Sequence, residues 1–277
     1  MPAMRELLVA LDGSPESDAA ARRALEIARA TDAPVVGLHV VDTAQLEASF
    51  IADLSGSVGF QPFLNLSGEL RRTLQSVGES IVADFEAKRA AAGVRGEGRM
   101  VEGLVVAELS RASGGADTLF LGLHGTGVRR GKSLGGHADT LVRRREIPVL
   151  LSPPDAEPLR RPVVAFDGSD RSLHALAAIA RWCSALNVPL DVLTVAESPD
   201  EVSARRTQAE RAMEGTGAAF RFESGSGHPE DVILARAPVN DLIAIGSHGH
   251  GRIAELVLGS TTERVLRRTT VSVLCVP

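Results

Sequence analysis

Tyrosine is absent from this chain of 277 residues, tryptophan occurs once, cysteine twice and phenylalanine eight times. With so few rings the core must be aliphatic, alanine-rich helices against Val, Ile and Leu strands, and a hydrophobic content of 44% suffices for that. Cys183 and Cys275 stand far apart with no Cys-x-x-Cys spacing. This excludes a disulfide framework, and the two thiols read as small core residues in a reducing cytoplasm. No apolar run approaches the ~18 residues of a membrane span. Met1 to Glu6 lead directly into a short apolar strand ended by Asp12, with no signal-peptide core. Excess positive charge is also missing: the net charge is −5, the pI is near 5.8 and the basic residues are scattered. The expectation is a cytoplasmic protein that binds neither nucleic acid nor membrane.

Glycine, by contrast, is plentiful and clustered. Asp241-Leu242-Ile243-Ala244-Ile245 reads as a buried strand, Gly246-Ser247-His248-Gly249 as a loop, and the run from Ser260 to Arg268 as a helix reached through Gly259. Such a loop lets backbone approach a ligand closely, and a helix starting at Ser260 presents unpaired N–H groups and a positive dipole end there. That is a phosphate site in outline. The plainer alternative is a capping box of Ser260 with Glu263, the glycines serving only to turn the chain.

The chain is long enough for about two domains, and its pattern repeats. Val163-Val164-Ala165-Phe166-Asp167-Gly168-Ser169 repeats Leu8-Val9-Ala10-Leu11-Asp12-Gly13-Ser14 at an offset of 155, while Gly122, Gly125 and Gly135 precede Gly246, Gly249 and Gly259 by 124. The first copy therefore carries 31 residues more than the second, and the mixed stretch from Asp42 to Leu66 is the natural place for them. The expected units are residues 1–153 and 159–277, joined by a linker with three prolines between Ser152 and Pro158. Each copy alternates strands and helices, which predicts an α/β fold with mainly parallel sheets. In the first copy the periodicity predicts a strand that starts at about Glu6 and stops at Asp12-Gly13, further strands at Pro34–Val41, Gly96–Val101, Thr118–Gly122 and Pro148–Leu151, and a long helix over about Gly68–Ala92.

Gly-x-x-Gly-x9-Gly-Ser, complete in the second copy, resembles the nucleotide-binding signature of the universal stress protein family, and the duplicated pattern resembles a tandem member over nearly the whole chain. The resemblance implies two doubly wound domains, each a five-stranded sheet of order 3-2-1-4-5 flanked by helices. Ligands of such sheets bind at the switch point between the first and fourth strands. It implies ATP, with Mg²⁺ entering through the phosphates, bound by Asp167 at the ribose and by Ala165 and the backbone of Val195 at the adenine. The triphosphate would lie over Gly246, Gly249, Gly259, Ser260 and Thr261. In the first copy Ala10, Asp12, Val40, Gly122, Gly125, Gly135 and Gly136 take the matching places. Gly136 and His137 there replace Ser260 and Thr261, a departure that removes a hydroxyl, with Arg129, Arg130 and Lys132 as compensating charge. It also implies that the last strands, Val149-Leu150-Leu151 and Val273-Leu274-Cys275, pair within the chain. Association of two chains and a protein partner stay open.

Two motifs mislead. Gly127 to Ser133 is one residue too short for a Walker loop, and Ser113-Gly114-Gly115-Ala116-Asp117-Thr118 precedes a strand where an adenylating loop would follow one. His124, His137, His248 and His250 lie by the glycine loops but have no metal-ligand spacing, and His39, His174 and His228 give no site signal. The chain shows no nucleophile–base–acid set. A nucleotide-dependent regulatory or protective module is the leading expectation; a slow ATPase or self-phosphorylating enzyme and a nucleotide-free structural module are the alternatives.

Overall fold

The Asp-Gly-Ser repeat becomes two helix starts built alike. Ser14 caps helix α1 (Pro15–Thr31), its Oγ accepting from Ser17 N at 3.0 Å, and Ser169 caps α5 (Asp170–Leu186), accepting from Ser172 N at 3.2 Å. Both helices end on a left-handed residue that is not glycine, Asp32 at φ 54° and Asn187 at φ 53°. Such residues tolerate this conformation best after glycine.

A computed structural model describes residues 4–44, 63–125, 135–144, 147–247 and 258–277. The remaining elements are β1 (Leu7–Leu11), β2 (Val35–Asp42), α2 (Phe63–Ala91), β3 (Gly96–Gly103), α3 (Val105–Ser113), β4 (Thr118–Gly122), α4 (Gly136–Arg144), β5 (Val149–Ser152), β6 (Val163–Ala165), β7 (Leu190–Val195), α6 (Pro199–Met213), β8 (Phe220–Gly225), α7 (Pro229–Leu234), β9 (Leu242–Gly246), α8 (Ser260–Arg268) and β10 (Ser272–Val276). The strands form one ten-stranded sheet in the order β3-β2-β1-β4-β5-β10-β9-β6-β7-β8. Each half has the order 3-2-1-4-5 with parallel neighbours, and the halves join through β5 and β10, which run antiparallel with Leu150 opposite Leu274. That joint pairs two strands buried along their whole length, which would otherwise be aggregation-prone edges. The true edges, β3 and β8, carry Glu97, Arg99, Glu102, Arg221 and Glu223.

Helices α1, α2, α5 and α6 pack on one face of the sheet, and α3, α4, α7 and α8 on the other. The single tryptophan sits at the seam between the halves. Trp182 of α5 stacks on Phe120 of β4 with ring centroids 5.9 Å apart, a pair worth ~0.5–1.5 kcal/mol beyond its burial. The linker is pinned from both sides: Glu26 of α1 accepts from Leu159 N at 3.0 Å, and Asp241 Oδ2 accepts from Arg160 N and Arg161 N at 2.5 and 2.9 Å.

Part of the surplus of the first copy is helix. Helix α2 has 29 residues against 15 in α6, so 14 of the extra residues are helix, and α2 begins five residues earlier than its periodicity predicts. Residues 45–62 lie outside the described residues. Among the described residues no helix is long and apolar enough to cross a membrane.

Both cysteines are buried, and burial pushes each thiol up to about 12, for Cys183 with the Asp241 charge adding to it. At pH 8 only about one such thiol in ten thousand is thiolate, the reacting form. A disulfide reagent is therefore expected to titrate no thiol in the native protein and two per chain in concentrated guanidinium. Rapid native reaction of either would show that its strand or helix opens.

Candidate functional site

At the end of β1 the chain must leave the sheet within three residues and start a helix, and Asp12-Gly13-Ser14 does this. Asp12 Oδ1 accepts from Ser14 N at 2.9 Å, Gly13 takes φ +75°, and Ser17 Oγ accepts from Asp12 N at 3.4 Å. One carboxylate oxygen of Asp12 is thus spent on the turn. The other, Oδ2, faces Gly125, where an added Cβ would lie 3.1 Å away. Gly125 itself has φ +71°, a second reason for glycine.

Beyond β4, Gly122 abuts the first turn of α1, with only 2.8 Å from a would-be Cβ to Glu16 Cβ. Gly135 N donates to Leu123 O at 3.3 Å, folding the two sides of the glycine loop together, and leaves no room for a side chain against His124 O. Helix α4 then starts at Gly136, around which a Cβ would meet nothing within 4 Å. All seven first-half residues expected from the sequence, Ala10, Asp12, Val40, Gly122, Gly125, Gly135 and Gly136, line one cavity of about 480 Å³ at the switch point. This volume lies within the usual range for small-molecule sites.

The sequence reading missed one wall of that cavity and one of its polar groups. Leu74, Val77 and Ile81 of α2 form the wall; their apolar stripe was visible, but nothing in it separated core from cleft. His39, for which no site signal was expected, lines the cavity, its Nδ1–H donating to Leu11 O at 2.7 Å. His124 and His137 line it too.

The second half repeats the turn. Asp167 Oδ1 accepts from Ser169 N at 3.0 Å and from Ser169 Oγ at 2.6 Å, and Gly168 has φ +79°. Gly246 is pressed against Arg171 of α5, 2.9 Å from a would-be Cβ to Arg171 Cβ. Gly259 N donates to Ser247 O at 3.1 Å, the counterpart of the Gly135 bond, and Thr262 Oγ1 donates to Gly246 O at 3.1 Å. The capping-box alternative fails here. Gly259, not Ser260, is the N-cap of α8, no side chain caps it, and Glu263 pairs with Arg267 at 2.7 Å. The first N–H groups of α8 and the exposed Ser260 hydroxyl are thereby left for other partners.

At Val195 the carbonyl expected to face a ligand already accepts from Arg205 Nη1 at 2.8 Å, and the same nitrogen donates to Thr194 Oγ1 at 3.0 Å. Ala165 ends β6 beside Leu193, and Thr261 is half-buried in the first turn of α8. Gly249, His248, His250, Arg129, Arg130, Lys132 and the Gly127–Ser133 motif lie outside the described residues. The Ser113–Thr118 motif closes α3 and enters β4 from the end opposite the cleft, where Asp117 binds Arg5 N at 2.8 Å and Arg5 Nε at 3.0 Å.

Several known proteins are similar to this chain. The profile of the universal stress protein family matches residues 4–153 and 200–277. A universal stress protein of Synechocystis sp. is 27% identical over 98% of this chain and 99% of its own length. The crystal structure of a universal stress protein from Archaeoglobus fulgidus DSM 4304 superposes with a TM-score of 0.74 at 21% identity, covering 98% of this chain and 97% of that one. A universal stress protein solved in complex with cAMP is 30% identical over 43% of this chain and 96% of its own, with a TM-score of 0.39. On the extent of the profile match, this chain belongs to the universal stress protein family.

Proposed function

We propose that the chain binds ATP, with Mg²⁺ carried on the phosphates, in its second unit (159–277), and acts as a nucleotide-dependent regulatory module in the stress response. The observation that carries the reading is the convergence at the switch point. In the first unit (1–153) an Asp-Gly-Ser turn and a glycine loop, expected from the sequence to share a site, line one cavity of about 480 Å³. The second half has the same turn and the same Gly259–Ser247 closure, and there the helix start keeps Ser260 and Thr261. The Asp167 turn would sit at the ribose, and the open N–H groups of α8 would take the phosphates. Nucleotide bound to both the Asp167 turn and the α8 start would change the surface available to a partner.

The test is a nucleotide count by acid extraction and chromatography on wild type, Gly259→Val and Gly135→Val. The expected result is one ATP per chain, lost in Gly259→Val and kept in Gly135→Val. No nucleotide in wild type and no uptake from added ATP and Mg²⁺ would overturn the reading.

A further inference from the structure

The joint between the halves differs at its two ends. Its register, with Leu151 opposite Val273 and Val149 opposite Cys275, continues to Ser152 opposite Ser272 at one end and to Pro148 opposite Val276 at the other. The offset of 124 equates Ser152 with Val276 and Ser272 with Pro148, so one end of a duplicated joint carries two hydroxyls where the other carries two apolar side chains. Both serines are 0% exposed, and neither Oγ has a hydrogen-bond partner among the described residues. A buried hydroxyl in that position has given up its bonds to bulk water and received none in return, a cost that native structures rarely leave unmet.

The two hydroxyls stand on one face of the sheet. Side chains alternate along a strand, and Leu150 and Leu274, each two residues from a serine, belong to the core beneath α1 and α5. Directly opposite residues of an antiparallel pair have Cβ atoms ~4.5–5.5 Å apart. The flanking strands set Gly122 beside Ser152 and Leu242 beside Ser272, neither of which offers a polar side chain. We propose that Ser152 and Ser272 share one buried water, which bridges their hydroxyls and ties the end of β5 to the start of β10. Each hydroxyl can donate to it or accept from it, so a single molecule satisfies both. Serine is also smaller than the valine and proline at the other end, which leaves room for that molecule. The bridge is specific to the joint within one chain. In the same register, β5 of one copy against β5 of another would set Ser152 against Pro148, and β10 against β10 would set Ser272 against Val276. Each hydroxyl would then face an apolar side chain.

Two measurements on the full chain test this. A crystal structure at a resolution that shows ordered water is expected to place one water about 2.8 Å from each Oγ. Guanidinium unfolding of Ser152→Ala, Ser272→Ala and the double variant gives the second reading, and the loss of one oxygen atom per site leaves all three able to fold. With a shared water, each single change strands the remaining hydroxyl and the water, so the midpoint falls. The double variant removes both partners and should lose less than the sum of the singles. In a dry site each alanine would instead remove an unsatisfied group and raise the midpoint. A midpoint unchanged or raised by either single change, or a double loss equal to the sum, would overturn the proposal. So would a map with no water between the hydroxyls, or with a cation there, recognised by its shorter contacts and anomalous signal.

Discussion

Replacing Gly37 by valine is expected to destabilise the protein by about 3 kcal/mol or more, and replacing Phe85 by alanine as well is expected to recover most of that loss. Gly37 lies buried in β2, paired with Val9 on one side and Gly98 on the other. A Cβ there would stand 2.5 and 2.6 Å from two atoms of the Phe85 ring and 2.9 Å from Leu11 Cδ1, so the ring has to move. Phe85 is 2% exposed and has nowhere to go. Phe85→Ala alone should cost ~3–5 kcal/mol, because it removes the ring from above a residue with no side chain to fill the space. Together the two changes place valine and alanine where, at the offsets of 155 and 124, the second half has Val192 and Ala209, both at 0% exposure. Guanidinium unfolding followed through Trp182 measures the cycle. Additive losses would mean that the two halves solve this contact by unrelated packing.

That complementary exchange also explains why the fold was legible and the site only partly so. The strands and the two helix starts follow from features with a fixed period or a fixed turn chemistry: the apolar runs at Leu8 and Val163, Asp-Gly-Ser twice, glycine where φ is positive. These are local and survive duplication. Strand order and the paired last strands came only through the family resemblance. The glycines of the loops were equally legible, because close approach admits no other residue at Gly122, Gly135 or Gly246. The cleft wall was not. Leu74, Val77 and Ile81 show the same spacing whether they face a core or a ligand, and only the position of α2 over the end of β1 makes them lining. His39 was unreadable for a similar reason: its partner is the carbonyl of Leu11, 28 residues away, and a backbone acceptor leaves no trace in sequence. The capping box failed because Gly259 had already taken the cap position, one residue before the serine that the motif needs.

The seam yields the other large effect. Arg23→Met is expected to cost ~3–5 kcal/mol at neutral pH, as breaking one side of a buried ion pair does. Arg23 has a side chain 2% exposed, lies 3.3 Å from Glu26 Oε2, and donates to Glu157 O in the linker, while Glu26 holds Leu159 N. Burial lowers the pKa of Arg23, against the pull of Glu26 and Asp241, and burial raises that of Glu26, against the pull of Arg23 and the Leu159 N–H. Without Arg23 the main force holding Glu26 ionised is gone, so its folded pKa climbs further above the unfolded value of about 4.3. An acid whose pKa is raised by folding binds more protons in the native state, so stability falls as pH rises through the interval between the two values. The deficit of Arg23→Met relative to wild type should therefore be full above the raised pKa and shrink as pH falls toward the unfolded one. Adding Glu26→Gln keeps an acceptor for Leu159 N and removes the charge, so the double variant should lose less and show no such slope. A deficit that stays constant with pH in the single variant would mean that Arg23 acts through its bond to Glu157 and its packed methylenes, and that the charge of Glu26 is solvated by other means.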